Sequence, residues 1–145
     1  MNSAERLQSK NVCSVNFRTK LTQPTFSHLK MNASLGELSC KGQQRAMLQH
    51  SAVLGMSVRR ENRRQGIGKA LVAHALEWVA HNQIIKRIEL FVFATNQPAI
   101  KLYEQFGFAV EGRRSKAVKI DSEYIDDILM AKSVDYSSVV NFKST

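Results

Sequence analysis

The sequence predicts an α+β fold, with a mixed, mostly antiparallel sheet, a central β-α-β crossover and helices on both faces. Hydrophobic patterning after residue 36 gives the order strand, strand, helix, strand, helix, strand, strand. Strand alternates with helix in the middle of that order, where a parallel crossover fits, and adjacent strands stand on either side of it. A chain of 145 residues, 43% of them hydrophobic, suits one domain without a metal or disulfide staple.

The first two strands of this order are predicted to form a hairpin. "GELSCKG" indicates a short strand and "AMLQHSAVLGMSV" a longer one, with residues 41–44 in the turn. Over residues 66–80 the pattern becomes helical. The apolar residues that recur there at intervals of four are Ile67, Leu71, Ala75 and Val79.

A buried strand and a second helix follow. "RIELFVFA" is dense in β-branched and aromatic residues, as buried strands are. Asn96 suits the N-cap of the next helix, and Pro98 suits its first turn, where the missing N–H costs nothing. That helix runs through "AIKLYEQF" and ends at Gly107, a glycine typical of the C′ position. The last strands, "FAVEGRRSKAVKI" and "EYIDDILMAK", flank a turn at Asp121 and Ser122.

Both ends of the chain lack this patterning. Residues 1–35 have poor periodicity, with one strand predicted near residues 13–18, and Pro24 would break a longer element. We therefore expect a core domain at residues 36–132. A shortened N-terminal segment precedes it, and residues 133–145 form a C-terminal tail.

Charge and composition narrow the class of protein. The net charge of +9 favours an anionic ligand. The chain lacks zinc-finger spacing, a base-stacking aromatic motif and a continuous basic helix, so nucleic acid is not an expected partner. No apolar run approaches the roughly 20 residues of a membrane span, and the N-terminus has no secretory core. Two cysteines and four histidines show no metal-ligand spacing, so we expect a cytoplasmic protein without a metal.

"RRENRRQGIGKAL", residues 59–71, concentrates positive charge around a Gly-x-Gly at the start of a helix. The first N–H groups of a helix lack partners and carry partial positive charge, so they bind anions. Gly66 and Gly68 let a ligand approach the backbone without meeting a Cβ. The loop matches neither a Walker loop nor the dinucleotide fingerprint, and a solvated basic turn is the alternative. The flanking cations that would add charge for phosphate are Arg63, Arg64 and Lys69.

Two motifs resemble the GNAT superfamily, the GCN5-related N-acetyltransferases. "VRRENRRQGIGKAL" resembles its acyl-CoA-binding motif, in which Arg63, Gly66 and Gly68 fit the required positions. "ELFVFATNQPAIKLYEQFGF" resembles its strand-helix motif. The resemblance covers roughly residues 36–132 and is strongest to small bacterial-type acetyltransferases with "LGMSV" before the loop. It implies a GNAT-like fold and acetyl-CoA as the cosubstrate.

The resemblance also implies where acetyl-CoA would bind. In the family the pantetheine arm lies between two splayed parallel strands and bonds to the backbone of one. Asn96 would contact the cofactor or only cap its helix, and Arg59 and Arg60 are interpreted as a solvated face. The residues implied for pantetheine are Met56, Ser57 and Val58. Those implied for the pyrophosphate are Arg63, Arg64, Gln65, Gly66, Ile67, Gly68 and Lys69.

Two residues would carry the chemistry. Tyr103 matches the family's tyrosine that donates a proton to the leaving CoA thiolate, and a core aromatic is the alternative. Glu89 is the predicted base, because a free alkylamine is mostly charged near neutral pH and must lose a proton before attack. An ion pair between Glu89 and Arg87 is an equal alternative, and Asp126 and Asp127 are rival bases.

The leading function is transfer of acetyl from acetyl-CoA to a primary amine. Direct attack in a ternary complex is expected, since no cysteine neighbours a histidine as an acyl-enzyme nucleophile would require. The alternatives are a non-catalytic acyl-CoA-binding or protein-interaction module and a basic nucleic-acid-associated protein. The acceptor amine stays open. The family often pairs and the N-terminal segment is short, so a homodimer can complete an open acceptor groove.

Overall fold

Seven strands and two α-helices make up the part of the chain that the structure describes. The structure is a computed structural model that describes residues 15–19, 26–31, 36–43, 45–64 and 66–134, the first two ranges by their backbone. The helices are α1, Ile67–His81, and α2, Gln97–Gln105. The strands are β1 (Val15–Thr19), β2 (Phe26–Met31), β3 (Gly36–Gly42), β4 (Ser51–Val58), β5 (Arg87–Phe93), β6 (Ala109–Ile120) and β7 (Glu123–Ser133).

These strands form one sheet in the order β1-β2-β3-β4-β5-β7-β6. Every neighbouring pair is antiparallel except β4 and β5, which are parallel. Parallel neighbours need a crossover connection, and α1 supplies it. The predicted α+β class, mixed sheet and central crossover are confirmed.

One face of the sheet carries the core. The predicted stripe of α1 is confirmed, because Ile67, Leu71, Ala75 and Val79 are all buried. They belong to one apolar cluster with the inward residues of β3, β4, β5 and β7. We call this side of the sheet the helix face, and its most deeply buried strand residues include Leu38, Cys40, Ala52, Ile88, Leu90 and Met130.

Both helices lie on the helix face. The sequence predicts helices on both faces. In the structure, Gly68 of α1 packs beside both Met56 of β4 and Leu102 of α2, so the two described helices share one face. We call the opposite side the open face, because none of the described helices covers it. Its β5 residues are Arg87, Glu89, Phe91 and Phe93, which alternate with the buried residues of the same strand.

Several local predictions are confirmed. The side chain of Asn96 accepts a hydrogen bond from the N–H of Ala99 at 3.3 Å, so Asn96 caps α2. Gly107 follows the end of α2 at φ 90°, a conformation that glycine adopts readily. Asp121 and Ser122 both have positive φ, as a tight two-residue hairpin turn requires.

Other boundaries differ from the prediction. β4 begins at Ser51 rather than Ala46, because Ala46–Leu48 forms an exposed 3-10 turn. β5 is buried on one face only. β1 overlaps the predicted first strand, and β2 is an additional strand that the sequence does not predict. The predicted tail lies mostly outside the described residues, and the domain boundaries stay predictions.

Candidate active site

The two parallel strands stay paired for only part of their length. The last paired positions of β4 and β5 are Leu54 and Leu90. Beyond them β4 continues along β3 and β5 continues along β7, each to its last residue. Within the described residues, the backbone groups that residues 55–58 and 91–93 turn toward each other therefore have no strand partner. An extended ligand can pair with such an edge as another strand would.

The predicted pantetheine contacts lie in this diverging part of β4. Met56, Ser57 and Val58 all follow the last position paired with β5. The carbonyl of Val58 accepts a hydrogen bond from Nε of Arg63 at 3.2 Å. Arg63 therefore ties the basic loop to the end of β4, with its remaining guanidinium N–H groups at the exposed surface.

Helix α1 begins beside the diverging strands with an uncapped N-terminus. Its N-cap, Gly66, has φ 78° and no side chain to bond the first turn. Among the residues that the structure describes, the N–H groups of residues 67–69 are therefore left for another acceptor. Arg64 also has positive φ, at 64°, which is uncommon for a residue with a Cβ. Gln65 lies outside the described residues.

Gly68 sets how closely α1 approaches the diverging strands. A Cβ at this position would lie 3.3 Å from Cε of Met56 and 3.4 Å from Cδ2 of Leu102. These distances are tight for carbon atoms, so a larger side chain would push Met56 or α2 aside. The structure thus shows Gly68 serving the close packing of α1 against β4 and α2.

Tyr103 is a residue of α2, and its side chain lies in the apolar cluster between the helices and the sheet. Its side chain is 6% exposed, and its ring meets Phe108 edge-on with 5.8 Å between centroids. Burial raises the pKa of the Tyr103 phenol, so the hydroxyl stays protonated at neutral pH. That hydroxyl makes no hydrogen bond to the residues that the structure describes. It is a protonated donor to which the described residues offer no acceptor, in a largely apolar setting.

Glu89 lies on the open face one residue before the strands diverge, and it is paired. Its Oε2 accepts hydrogen bonds from Nη2 of Arg87 at 3.0 Å and from Nε at 3.3 Å. Arg87 also holds Glu111, which binds both of its Nη groups. Oε1 of Glu89 has no partner among the described residues, and its side chain is partly exposed. Glu89 thus forms the alternative ion pair and still presents one oxygen that can accept a proton.

The rival acids have no such oxygen. Both oxygens of Asp127 are bonded to Arg114, through Nε at 2.7 Å and through Nη2. Both oxygens of Asp126 are bonded, one to the N–H of Lys116 and one to Arg113. The Arg114 guanidinium lowers the pKa of Asp127, and the Lys116 N–H and Arg113 lower that of Asp126. Both carboxylates are therefore weaker bases than ordinary ones.

The structure also contains a surface that the sequence does not predict. Phe91 and Phe93 are 43% and 41% exposed on the open face, just where β5 leaves β4. The guanidinium carbon of Arg114 lies 4.1 Å from the centroid of the Phe91 ring. Asp127, 3% exposed, anchors that guanidinium. We call Phe91, Phe93, Arg114 and Asp127 the Phe91/Arg114 surface.

Among the described residues, no group of three or more His, Cys, Asp or Glu residues is placed to hold a metal ion. Neither α1 nor α2 is long and apolar enough to cross a membrane.

Known proteins resemble this chain over the strands and helices that form the candidate site. The acetyltransferase (GNAT) family matches residues 33–108, which include β3 to α2. The L-amino acid N-acetyltransferase AaaT of Escherichia coli K12 is 36% identical over 98 residues, covering 68% of this chain and 60% of that protein. The chain thus spans less than two thirds of that relative.

Solved structures share the fold. An acetyltransferase of the GNAT family from Streptococcus pneumoniae has a TM-score of 0.72 and 28% identity, covering 77% of this chain and 68% of its own. A GNAT phosphinothricin acetyltransferase from Sinorhizobium meliloti, solved with acetyl-CoA, has a TM-score of 0.69 and 14% identity over 91% and 69% of the two chains. The chain belongs to the GNAT acetyltransferase family, whose enzymes use acetyl-CoA as the acetyl donor.

Proposed function

We propose that this protein transfers acetyl from acetyl-CoA to a primary amine by direct attack in a ternary complex. The divergence of β4 from β5 after Leu54 and Leu90 is the observation that carries the proposal. Beyond these positions the two facing strand edges have no strand partner among the described residues, so a third extended chain can pair with them. The amide groups of pantetheine suit that gap, because they can pair with backbone N–H and C=O as a strand does.

The residues that would hold the cofactor lie along one path. Met56, Ser57 and Val58 would offer backbone groups to pantetheine. The uncapped N-terminus of α1, with N–H groups of residues 67–69 and the positive end of the helix dipole, suits the pyrophosphate. The charged or loop residues beside it are Arg63, Arg64, Gln65, Gly66 and Lys69. The side-chain oxygen of Asn96 is already bonded to the N–H of Ala99, which favours capping over cofactor contact.

The acetyl transfer then needs one base and one acid. The amine nitrogen loses a proton to Oε1 of Glu89, directly or through water, and attacks the thioester carbonyl carbon. The C–N bond forms, the C–S bond breaks, and the CoA sulfur leaves as a thiolate. Tyr103, kept protonated by burial, donates a hydrogen bond and then a proton to that sulfur. The nitrogen of the new amide gives up its second proton, which restores the Tyr103 phenol, and the proton held by Glu89 returns to solvent.

The described residues favour direct attack over a mechanism with an acyl-enzyme intermediate. Cys40 is the one cysteine among them, and it is fully buried on the helix face. Burial raises the pKa of its thiol to about 12, so the reactive thiolate is scarce at neutral pH. Cys40 is therefore unsuited to carry the acetyl group.

The acceptor is proposed to be a small molecule with a primary amine. The relative from Escherichia coli is named for L-amino acids, which makes amino acids the first acceptors to test. A cytoplasmic location and a homodimer that completes the acceptor groove stay predictions of the sequence.

Release of CoA in the presence of amines tests the proposal. We expect acetyl-CoA to raise the melting temperature by mass action, and a panel of amino acids, polyamines and lysine peptides to include at least one acceptor that accelerates thiol release. Binding without release for every amine would instead support a non-catalytic acyl-CoA-binding module. If acetyl-CoA did not bind and no CoA were released, that result would contradict the assignment of the diverging strands to the cofactor.

A further inference from the structure

The Phe91/Arg114 surface lies on the open face, along the part of β5 that has separated from β4. Phe91 is the first open-face residue of β5 beyond the last position paired with β4, and Phe93 is the next. Arg114 starts on β6, opposite Asp127 of β7, and its guanidinium reaches across β7 to lie over the Phe91 ring. A cation therefore lies against Phe91, the first open-face residue of β5 after β5 and β4 diverge.

This cation is held in one orientation. Asp127 takes Nε–H and one Nη2–H of Arg114, and the aromatic ring of Phe91 supports the flat side of the guanidinium. Because Asp127 is almost fully buried, it anchors the guanidinium from below. An arginine fixed in this way loses little conformational entropy when it binds a ligand.

Arg114 also keeps donors for a ligand. A guanidinium has five N–H groups, and two are used by Asp127, so five minus two leaves three. The Arg114 side chain is 57% exposed, so solvent and a dissolved ligand can reach its guanidinium. Two of the three remaining N–H groups form the planar pair that matches a carboxylate bidentately.

The neighbouring arginine does not share this setting. Arg113 bonds Asp126, and strand alternation turns both away from Arg114 and the open face. Arg113 is 63% exposed at the side chain, close to the value for Arg114, so the two differ in position rather than in exposure.

We propose that Arg114 binds the carboxylate of the acceptor, and that the acceptor is an α-amino acid with an apolar side chain. This inference rests on the proposed function. In an α-amino acid a single carbon separates the amine from the carboxylate, so a carboxylate on Arg114 places the amine near the gap between β4 and β5. The exposed rings of Phe91 and Phe93 offer apolar area to the side chain.

Three matched acceptors test the inference: L-phenylalanine, its amide and phenethylamine. We expect kcat/KM for CoA release to be about 10- to 100-fold higher with the acid than with either of the others, as one charge-assisted bidentate contact allows. The amide has the less basic amine and so more free base at neutral pH. A preference for the acid therefore cannot come from ionisation of the amine.

The variants separate carboxylate recognition from general damage. Arg114→Gln alone leaves Asp127 buried without its cation, so the double variant Arg114→Gln/Asp127→Asn accompanies it and keeps an uncharged pair of similar shape. We expect the ratio of acid to amide to fall to about 1 in the double variant, through a higher KM for the acid. The matched control Arg113→Gln should keep the wild-type ratio.

The outcomes distinguish the inference from the function. An acid-to-amide ratio near 1 in the wild type, or an equal ratio in wild type and double variant, would overturn the role of Arg114 while leaving acetyl transfer intact. Failure of every amine to release CoA would contradict the proposed function. In that case calorimetric binding of L-phenylalanine and its amide to the CoA complex decides the inference. Loss of selective binding in the double variant supports it, and unchanged binding overturns it.

Discussion

The two faces of β5 have opposite characters. On the helix face, Ile88, Leu90 and Val92 are buried beneath the helices. On the open face, Glu89 is engaged in an ion pair and Phe91 and Phe93 present their rings to solvent. One strand thus stabilises the fold with every second residue and presents polar and aromatic groups with the others. Stability and recognition should therefore respond to different substitutions.

Substitutions at adjacent residues of β5 give the largest expected separation. Leu90→Ala removes a side chain that is 1% exposed and should lower the free energy of unfolding by about 2–5 kcal/mol. Phe91→Ala, on the open face, should cost about 1 kcal/mol or less in stability but reduce turnover of amino acid acceptors. Urea unfolding and CoA release measure both. Equal destabilisation by the two would mean that the open face is covered in solution.

Tyr103 is buried on the helix face but is proposed to act in catalysis, so it is an exception to the separation between stability and activity. Tyr103→Phe removes only the hydroxyl and should lower kcat by roughly 10- to 1,000-fold, as loss of a positioned proton donor does. Acetyl-CoA affinity should stay nearly intact, and so should the free energy of unfolding, because the described residues give that hydroxyl no partner to lose. Unchanged turnover would make Tyr103 a packing residue.

Glu89 tests the open face alone. Glu89→Gln keeps the shape and removes the charge, so turnover near neutral pH should fall by about 10- to 100-fold. It should partly recover at alkaline pH, where more of the amine is already deprotonated. Glu111→Gln is the control, since it changes the other carboxylate on Arg87. The same ratio of variant to wild-type activity at every pH would favour water or another base.

The pH dependence of the free energy of unfolding at acidic pH gives the smallest expected effect. The Arg114 guanidinium lowers the pKa of Asp127, so folding is favoured by this ionised carboxylate above the unfolded pKa of about 3.9. That contribution is lost as pH falls through the lower folded-state pKa. We expect the free energy of unfolding to decline below about pH 5 more gently in Asp127→Asn than in the wild type. Parallel declines would show that the pair adds nothing to stability.

Local signals explain what the sequence predicts well. The stripe of α1, the Asn96 cap and the turn at Asp121 and Ser122 depend on residues near one another in the chain, so their chemistry is visible in sequence order. β2 depends on pairing with β3, and its own residues alternate poorly. The exposure of Phe91 was equally hidden, because an apolar run does not say which face another element covers.

The Phe91/Arg114 surface likewise depends on strand pairing that the sequence order does not reveal. Counting outward from the hairpin turn in unbroken register would place Arg114 opposite Leu129. An irregularity between Arg114 and Val118 shifts the pairing, so Arg114 lies opposite Asp127 instead. Such a bulge re-aims a side chain and leaves little trace in the sequence. The loop residues were instead indicated by their local charge and glycine pattern, Tyr103 was named through the family resemblance and Glu89 as an acid on a predicted buried strand, and their roles stay proposals.

The diverging strands are the centre of the account, and amide hydrogen exchange along β4 tests them most directly. Residues 52–54 pair with both neighbouring strands and should exchange slowly with or without ligand. Within residues 55–58, the amides that face β5 should exchange quickly in the free protein and slow markedly when acetyl-CoA saturates it. Unchanged exchange at residues 55–58, at a concentration shown to saturate by thermal shift, would contradict cofactor binding between β4 and β5.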